Sequence, residues 1–64
     1  MMYEFLVGFR VVLRCQNNLT FAGILKDIIV KDDKKYVWIV TDEISQFGIL
    51  CPVDFIYEMI KVPI

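Results

Sequence analysis

Apolar and polar residues alternate along residues 8–25, in two runs separated by a short polar stretch. Every second position is apolar or glycine in both runs, at Val11, Leu13 and Cys15 and then at Leu19, Phe21, Gly23 and Leu25. A period of two places these side chains on one face of a β-sheet. Residues 16–18 lie between the runs and include two Asn, a residue that tolerates the left-handed backbone of a tight turn. The pattern predicts a β-hairpin.

Later apolar runs predict three further strands. The five strands are expected over residues 9–15, 19–31, 36–41, 49–51 and 56–62. Polar turns are expected at residues 31–35 and 42–48. Pro52 lacks the amide hydrogen that a strand ladder needs, so the fourth strand should end there and residues 53–55 should form a short 3₁₀ turn. Five strands joined in this way predict a closed or nearly closed barrel.

The second and third strands carry further predictions. In the long second strand Ile24, Ile28 and Ile29 break strict alternation. Long strands in small barrels bend at a glycine or a bulge, and Gly23 is the predicted bend point. The third strand is apolar on both faces, a pattern typical of a strand covered on both sides.

The size of the chain conflicts with its apolar content. Sixty-four residues make one domain, and so short a chain buries only about 60 % of its unfolded surface. Yet 58 % of the residues are hydrophobic, above the roughly 45–50 % of ordinary domains. The excess predicts that some apolar surface is buried between subunits.

A membrane is the other place to bury apolar surface. No apolar run approaches the roughly 18 to 20 residues of a spanning helix, and the N-terminus lacks the basic start and long apolar run of a signal peptide. A soluble, cytoplasmic oligomer with no membrane partner is therefore expected.

The two cysteines, Cys15 and Cys51, both lie in apolar strand contexts. Free Cys behaves there as a small hydrophobe, so buried thiols are expected. A disulfide requires that the strands bring the two residues together, which the sequence does not determine. With two Cys and no His, neither a zinc site nor any other cofactor is expected.

The N-terminal hairpin resembles the first half of the signature of the Sm-like (LSm/Hfq-type) family. In that pattern a Gly precedes the first strand, alternating apolar residues follow, and Gly-x-Leu lies in the second strand. Here these are Gly8, then Val11 and Leu13, then residues 23–25, while Asn18 stands where the family usually has a turn Gly. The resemblance implies an all-β, small, strongly bent, five-stranded SH3-like barrel over residues 1–64. It also favours a short helix in residues 1–7 over an extension of the first strand.

Sm-like proteins assemble into rings, in which the fourth strand of one subunit pairs with the fifth strand of the next. The resemblance implies a homo-oligomeric ring of about five to seven subunits, whose closure leaves no strand edge open. The interface residues would be Ile49, Leu50, Cys51, Ile56, Tyr57, Met59 and Ile60. The alternative is that these strands pair within one barrel and the protein stays monomeric.

The family usually binds single-stranded RNA through two loops at the pore, which carry an Asp, a stacking residue and an Asn, and then Arg-Gly. Here Ile29 occupies the Asp position, residues 31–34 have neither a stacking residue nor an Asn, and Cys51-Pro52 replaces Arg-Gly. RNA binding is the function that the resemblance implies. A structural or protein-interaction ring without the family's pocket is the alternative.

Single-stranded nucleic acid needs cations for its phosphates and flat side chains for its bases. The candidate RNA-contacting residues are Lys31, Asp33, Lys34, Lys35, Tyr36 and Cys51. Two Asp interleave with the lysines and the net charge is only −1, whereas nucleic-acid binders usually have a basic excess. A solvated hairpin turn is therefore the alternative for residues 31–35.

Other features favour structural roles. Arg10, Arg14 and Lys26 either form a second basic surface or keep an exposed face soluble. Trp38 and Phe47 are expected at an interface or in the core. Catalysis is not expected, because the chain has no His, a single Ser and only loop-borne adjacent carboxylates.

Overall fold

The computed structural model describes residues 3–41 and 48–63 of the chain. These residues form an all-β structure. Its five strands are β1 (Arg10–Cys15), β2 (Thr20–Lys31), β3 (Lys34–Thr41), β4 (Ile49–Pro52) and β5 (Ile56–Lys61). The helical segments of the described residues are three-residue 3₁₀ turns, at Glu4–Leu6, Gln16–Asn18 and Val53–Phe55. The predicted 3₁₀ turn before the last strand is confirmed, and the strand bounds differ from prediction by one or two residues.

All strand pairs are antiparallel, and the order in the sheet is β4-β3-β2-β1-β5. The two last strands along the chain therefore occupy opposite edges. Within the described residues no ladder joins β4 to β5, so the five strands form an open sheet. The sequence predicted a closed or nearly closed barrel, and the closed form is wrong. A reason lies in β4 itself, which is four residues long and ends at a proline without an amide hydrogen.

The open sheet is nevertheless strongly curved. Only residues 53–55 separate β4 from β5, and the four Cα steps from Pro52 to Ile56 span at most about 14 Å. In a flat sheet the edge strands of five would lie about 19 Å apart. The short connection can therefore be made only if the sheet curls and brings its edges toward each other.

The β1–β2 hairpin confirms the prediction from residues 8–25. Asn17 and Asn18 have φ values of 62° and 60°, the left-handed conformation for which Asn was expected in the turn. The Cys15 amide donates a hydrogen bond to the Leu19 carbonyl at 2.8 Å and closes the turn.

The β2–β3 turn is tighter than predicted. Lys31 pairs with Lys34, so the turn consists of Asp32 and Asp33 and does not extend over residues 31–35. Both Asp have positive φ, 52° and 64°. Two left-handed residues match the twist of a two-residue hairpin, and β3 consequently begins two residues earlier than expected.

The irregularity of β2 does not lie at Gly23, where a bend was predicted. Gly23 has regular partners on both sides, Val11 and Thr41, and the ladder shifts instead between Leu25 and Asp27. Glycine is required at this position for a different reason. A Cβ atom at this position would collide with the backbone carbonyl of Val40, so Gly23 permits the close approach of β2 and β3.

The core fills the concave side of the sheet. It consists of Leu6, Val11, Leu13, Cys15, Leu25, Val37, Ile39 and Cys51. The expectation that β3 is covered on both faces is confirmed for one face, where Val37, Ile39 and Thr41 are buried. On the other face Trp38 and Val40 are half-buried. A single curved sheet has one interior, and the described chain supplies no second layer for the convex face.

The N-terminal segment closes one end of this core. The helix expected in residues 1–7 is reduced to the single 3₁₀ turn Glu4–Leu6, which is followed by Gly8 at a φ of 94°. The Gly8 amide then donates to the Leu25 carbonyl at 2.8 Å, and Leu6 is buried against the core.

The turn predicted at residues 42–48 lies outside the described residues except for Gly48, and so does Phe47. None of the helical segments in the described part of the chain has the length and apolar character needed to cross a membrane.

Candidate nucleic-acid interface

An open cleft of about 380 Å³ lies at the end of the sheet where three connections meet. Two of them are the β1–β2 turn and the turn between β4 and β5, and the third is the β2–β3 turn, beside which β3 begins at Lys34. The lining residues are Gln16, Lys34, Tyr36, Pro52, Asp54 and Phe55.

Strand pairing places the cleft residues. Lys34 and Tyr36 are two positions apart on β3, so their side chains share one face of the strand. Tyr36 pairs with Pro52 across the β3–β4 ladder, which brings the second wall beside the first. Gln16 of the β1–β2 turn forms the remaining side of the cleft. Its Nε2 donates a hydrogen bond to the Asp54 carbonyl at 3.3 Å, which joins this turn to the turn between β4 and β5.

The cleft combines two aromatic rings, Tyr36 and Phe55, with one lysine and one amide side chain. Rings of this kind can stack on nucleobases, and an ammonium group can neutralise a phosphate. Asp54 also lines the cleft, so the formal charges of the lysine and of this residue cancel. The cleft therefore offers stacking surface and hydrogen-bonding groups more than positive charge.

The structure separates the predicted RNA-contacting residues into three groups. Lys34 and Tyr36 line the cleft. Lys31 and Asp33 are exposed at the tip of the β2–β3 hairpin, and Lys35 is half-buried. Cys51 is only 4 % exposed, so its side chain is part of the core and not of the surface that a ligand can reach.

Four lining residues were not predicted: Gln16, Pro52, Asp54 and Phe55. Their contribution depends on the curvature that brings the β1–β2 turn beside the β4–β5 turn, and no local pattern reports it. The sequence did predict Pro52 and the 3₁₀ turn that follows it. It did not predict which other part of the chain they contact.

The two edges of the sheet carry exposed apolar side chains. Leu50 on β4 is 55 % exposed, and Tyr57 and Ile60 on β5 are 74 % and 45 % exposed. Ile49, Ile56 and Met59, also predicted at the interface, are half-buried and pack against the core. The predicted interface residues thus divide into an inward set that holds the subunit together and an outward set on the edges.

The second basic surface predicted from Arg10, Arg14 and Lys26 is weakened by a neighbouring carboxylate. Arg14 forms an ion pair with Glu58 of β5 at 3.4 Å, and both side chains are exposed. Lys61 of β5 lies 4.1 Å from the centre of the Phe9 ring, a distance typical of a cation–π contact. Both contacts join β5 to the N-terminal part of the chain, so these charged side chains contact other protein groups.

Two buried thiols belong to residues that adjoin the cleft in the sequence. Cys15 directly precedes Gln16 and Cys51 directly precedes Pro52, and the two sulfur atoms are 3.8 Å apart. Both cysteines are free, as expected of buried thiols. Burial, followed by the proximity of Cys15, raises the pKa of Cys51 to about 12, so this thiol is protonated at neutral pH.

Comparison of the chain with protein-family models, with curated proteins and with solved structures finds no match.

Proposed function

We propose that the protein assembles into a closed homo-oligomeric ring, in which β4 of one subunit pairs with β5 of the next, and that the ring binds single-stranded RNA at the clefts of its subunits. The observation that carries the proposal is the strand order. It leaves two short strands at opposite edges of one curved sheet, each with one neighbour only among the described residues.

The edges have the chemistry of an interface. An unpaired strand exposes a row of amide and carbonyl groups that another strand can satisfy. Leu50 on one edge and Tyr57 and Ile60 on the other add apolar surface that is exposed in the isolated subunit. Because β4 and β5 are different strands, their pairing is head-to-tail, and a head-to-tail contact that closes on itself gives a ring.

The N-terminal hairpin supports the same assembly because it resembles that of the Sm-like family. In the rings of that family the fourth strand of one subunit pairs with the fifth strand of the next. The hairpin's glycine at position 23 is required by close backbone packing, which gives a physical reason for one element of that resemblance. The resemblance implies a ring of about five to seven subunits, closed by head-to-tail contacts.

RNA binding is supported by the residues of the cleft. Tyr36 and Phe55 present rings for stacking, Lys34 supplies a cation, and Gln16 an amide. One cleft of this composition would bind a nucleotide weakly, but a ring presents one cleft per subunit to a continuous strand. Each base stacked on an aromatic ring contributes about 1–3 kcal/mol, so several weak sites can give useful affinity.

The alternative is a ring that acts as a scaffold for other proteins. Asp54 in the cleft wall and the two Asp of the β2–β3 turn favour it, because their carboxylates repel phosphate. The family's Asp, Asn and Arg-Gly are also missing at the corresponding positions.

Native mass spectrometry with and without short U-rich and A-rich RNA tests both halves of the proposal. A ring mass that gains RNA supports it, and a ring that ignores RNA leaves the scaffold. A monomer at micromolar concentration would refute the pairing of β4 with β5.

Matched variants locate the RNA site. Lys34→Ala and Tyr36→Ala should each weaken RNA binding about ten-fold or more, as expected for the loss of one phosphate contact or one stacked base repeated around a ring. Lys26→Ala is the control, since this exposed lysine lies on β2 and outside the cleft. If the three variants Lys34→Ala, Tyr36→Ala and Lys26→Ala bind RNA with equal affinity, the RNA does not bind in the cleft.

A further inference from the structure

The two cysteines are 36 residues apart in the sequence, yet their sulfur atoms are 3.8 Å apart in the core. This distance is close to van der Waals contact between two sulfurs. A disulfide bond is about 2.05 Å long, so bond formation needs an approach of slightly under 2 Å, within reach of side-chain rotation and a small shift of one strand.

The pair spans the interior of the curved sheet. Cys15 is the last residue of β1, and Cys51 is in β4. The sheet order places β2 and β3 between these strands, which in a flat sheet would separate them by about 14 Å. The contact between the sulfurs therefore exists only because the sheet curls, and a bond between them would fix that curvature.

We propose that Cys15 and Cys51 are a reversible redox pair, and that a peroxide oxidant converts them to an intramolecular disulfide that ties the edge strand β4 to β1. In this reaction hydrogen peroxide oxidises one thiol to a sulfenic acid and releases one water. The sulfur of the second thiol then attacks the sulfenic sulfur, the S–S bond forms, and a second water leaves with the thiol proton. Two thiols and one peroxide thus give one disulfide and two waters.

The surroundings of the pair make the reaction selective. Cys15 and Cys51 are 2 % and 4 % exposed, and burial raises the pKa of the Cys51 thiol, so the oxidant meets a reactive thiolate only when a strand separates locally. β4 is the strand that can separate most easily, because it is four residues long and has β3 as its one neighbour in the described chain. Once one sulfur is oxidised, the nearest partner is the other cysteine and not a second chain.

The bond would act on the cleft through the residues that follow the two cysteines. Gln16 and Pro52, which line two walls of the cleft, are the residues that follow the two cysteines. A disulfide would hold these two residues at a fixed separation, whereas in the reduced protein their spacing depends on packing and on the hydrogen bond from Gln16 to the Asp54 carbonyl. The redox pair is independent of the proposed RNA binding, since its formation is measured on the protein by itself.

The test treats the native wild-type protein with hydrogen peroxide, blocks remaining thiols with N-ethylmaleimide, and measures the mass of the denatured chain. The expected product is a single chain that has lost two hydrogens, carries no maleimide and returns to two free thiols with dithiothreitol. Tryptic digestion without reductant should link the peptide of residues 15–26 to that of residues 36–61, which contain Cys15 and Cys51. The oxidised protein should also melt more than about 10 °C above the reduced protein, as expected for closing a loop of this length in a small domain.

Three results would overturn the proposal: chains joined to each other, cysteines that take up oxygen or maleimide independently, or thiols that survive peroxide until the protein is unfolded. Cys15→Ala and Cys51→Ala serve as controls and should show no peroxide-dependent rise in melting temperature. Because the mass and peptide measurements use the wild-type chain alone, the test stands if either variant fails to fold.

Discussion

Replacement of Gly23 by Ala tests how closely β2 and β3 approach. In an ordinary strand this change stabilises a protein by about 0.4–1 kcal/mol, since it restricts the unfolded chain. Here the added Cβ would collide with the carbonyl oxygen of Val40 and lie 2.8 Å from the Cα of Thr41. Both atoms belong to the backbone of β3, so the clash cannot be relieved by a side-chain rotation.

The expected result is a net loss of stability. Overpacking of a fitted interior costs about 1–3 kcal/mol, more than the gain from the unfolded state. After the gain is subtracted, the loss is up to about 2.5 kcal/mol, out of the roughly 3–10 kcal/mol by which a domain of this size is stable. The melting temperature should therefore fall by up to roughly 20 °C.

The assay is urea unfolding followed by circular dichroism and by the fluorescence of Trp38, the single tryptophan of the chain, which pairs with β2 near the bulge. Protein concentration must be held constant, because assembly also stabilises the folded state. Ala22→Thr is the matched control: Ala22 is exposed, and a change there should stay within about 0.5 kcal/mol. Equal or greater stability of Gly23→Ala would show that the two strands do not approach as closely as described.

Three further changes test other features of the fold. Tyr57→Lys places a charge on the exposed edge of β5 and should shift a ring toward monomers in sedimentation velocity without unfolding the subunit; an unchanged ring would exclude this edge from the interface. Asp33→Gly should raise the free energy of unfolding by about 0.5–1 kcal/mol in urea titrations, because glycine adopts the left-handed conformation of this turn without steric cost, and a loss of stability would contradict the φ of 64°. The raised pKa of Cys51 means that, at alkaline pH, the folded state keeps a proton that the unfolded state releases. The contribution of this thiol to the free energy of unfolding is therefore complete below the unfolded pKa near 9 and decreases as the pH rises toward 12. Cys51→Ala should lack that component of the alkaline decline, and identical profiles for the two proteins would contradict the shift.

Local patterns were sufficient for the strands and for two of the turns, the β1–β2 turn and the 3₁₀ turn at Val53–Phe55. The period of two and the pair of Asn predicted the first hairpin because side-chain alternation and left-handed backbone are properties of neighbouring residues. The same reasoning was less successful at residues 31–35, since the sequence shows five charged residues but not which two of them form the turn. It misplaced the irregularity of β2 because a glycine in a strand has two explanations, a bend or a close approach, and only the position of β3 distinguishes them.

The candidate site depended on information that no local pattern contains. Lys34 and Tyr36 were predicted because cations and rings are recognisable by type. Their partners Gln16 and Phe55 come from other connections, and the curvature of the whole sheet brings them together. The contact between the two sulfurs has the same origin, which is why the cysteines were expected to be buried but could not be paired.

The order of the strands has a consequence for the folding pathway. β1 to β4 follow one another as an antiparallel meander, and each of their ladders forms between strands adjacent in sequence. The last ladder, β1 with β5, joins residues such as Arg14 and Glu58 that are 44 positions apart. Closing so long a loop costs entropy before any contact compensates for it, so the docking of β5 on β1 should limit the folding rate and place it among the slower small domains. The hairpins form before this step and are kept in its transition state, so destabilising changes in the hairpin turns or in the β1–β5 ladder should slow folding more than they speed unfolding.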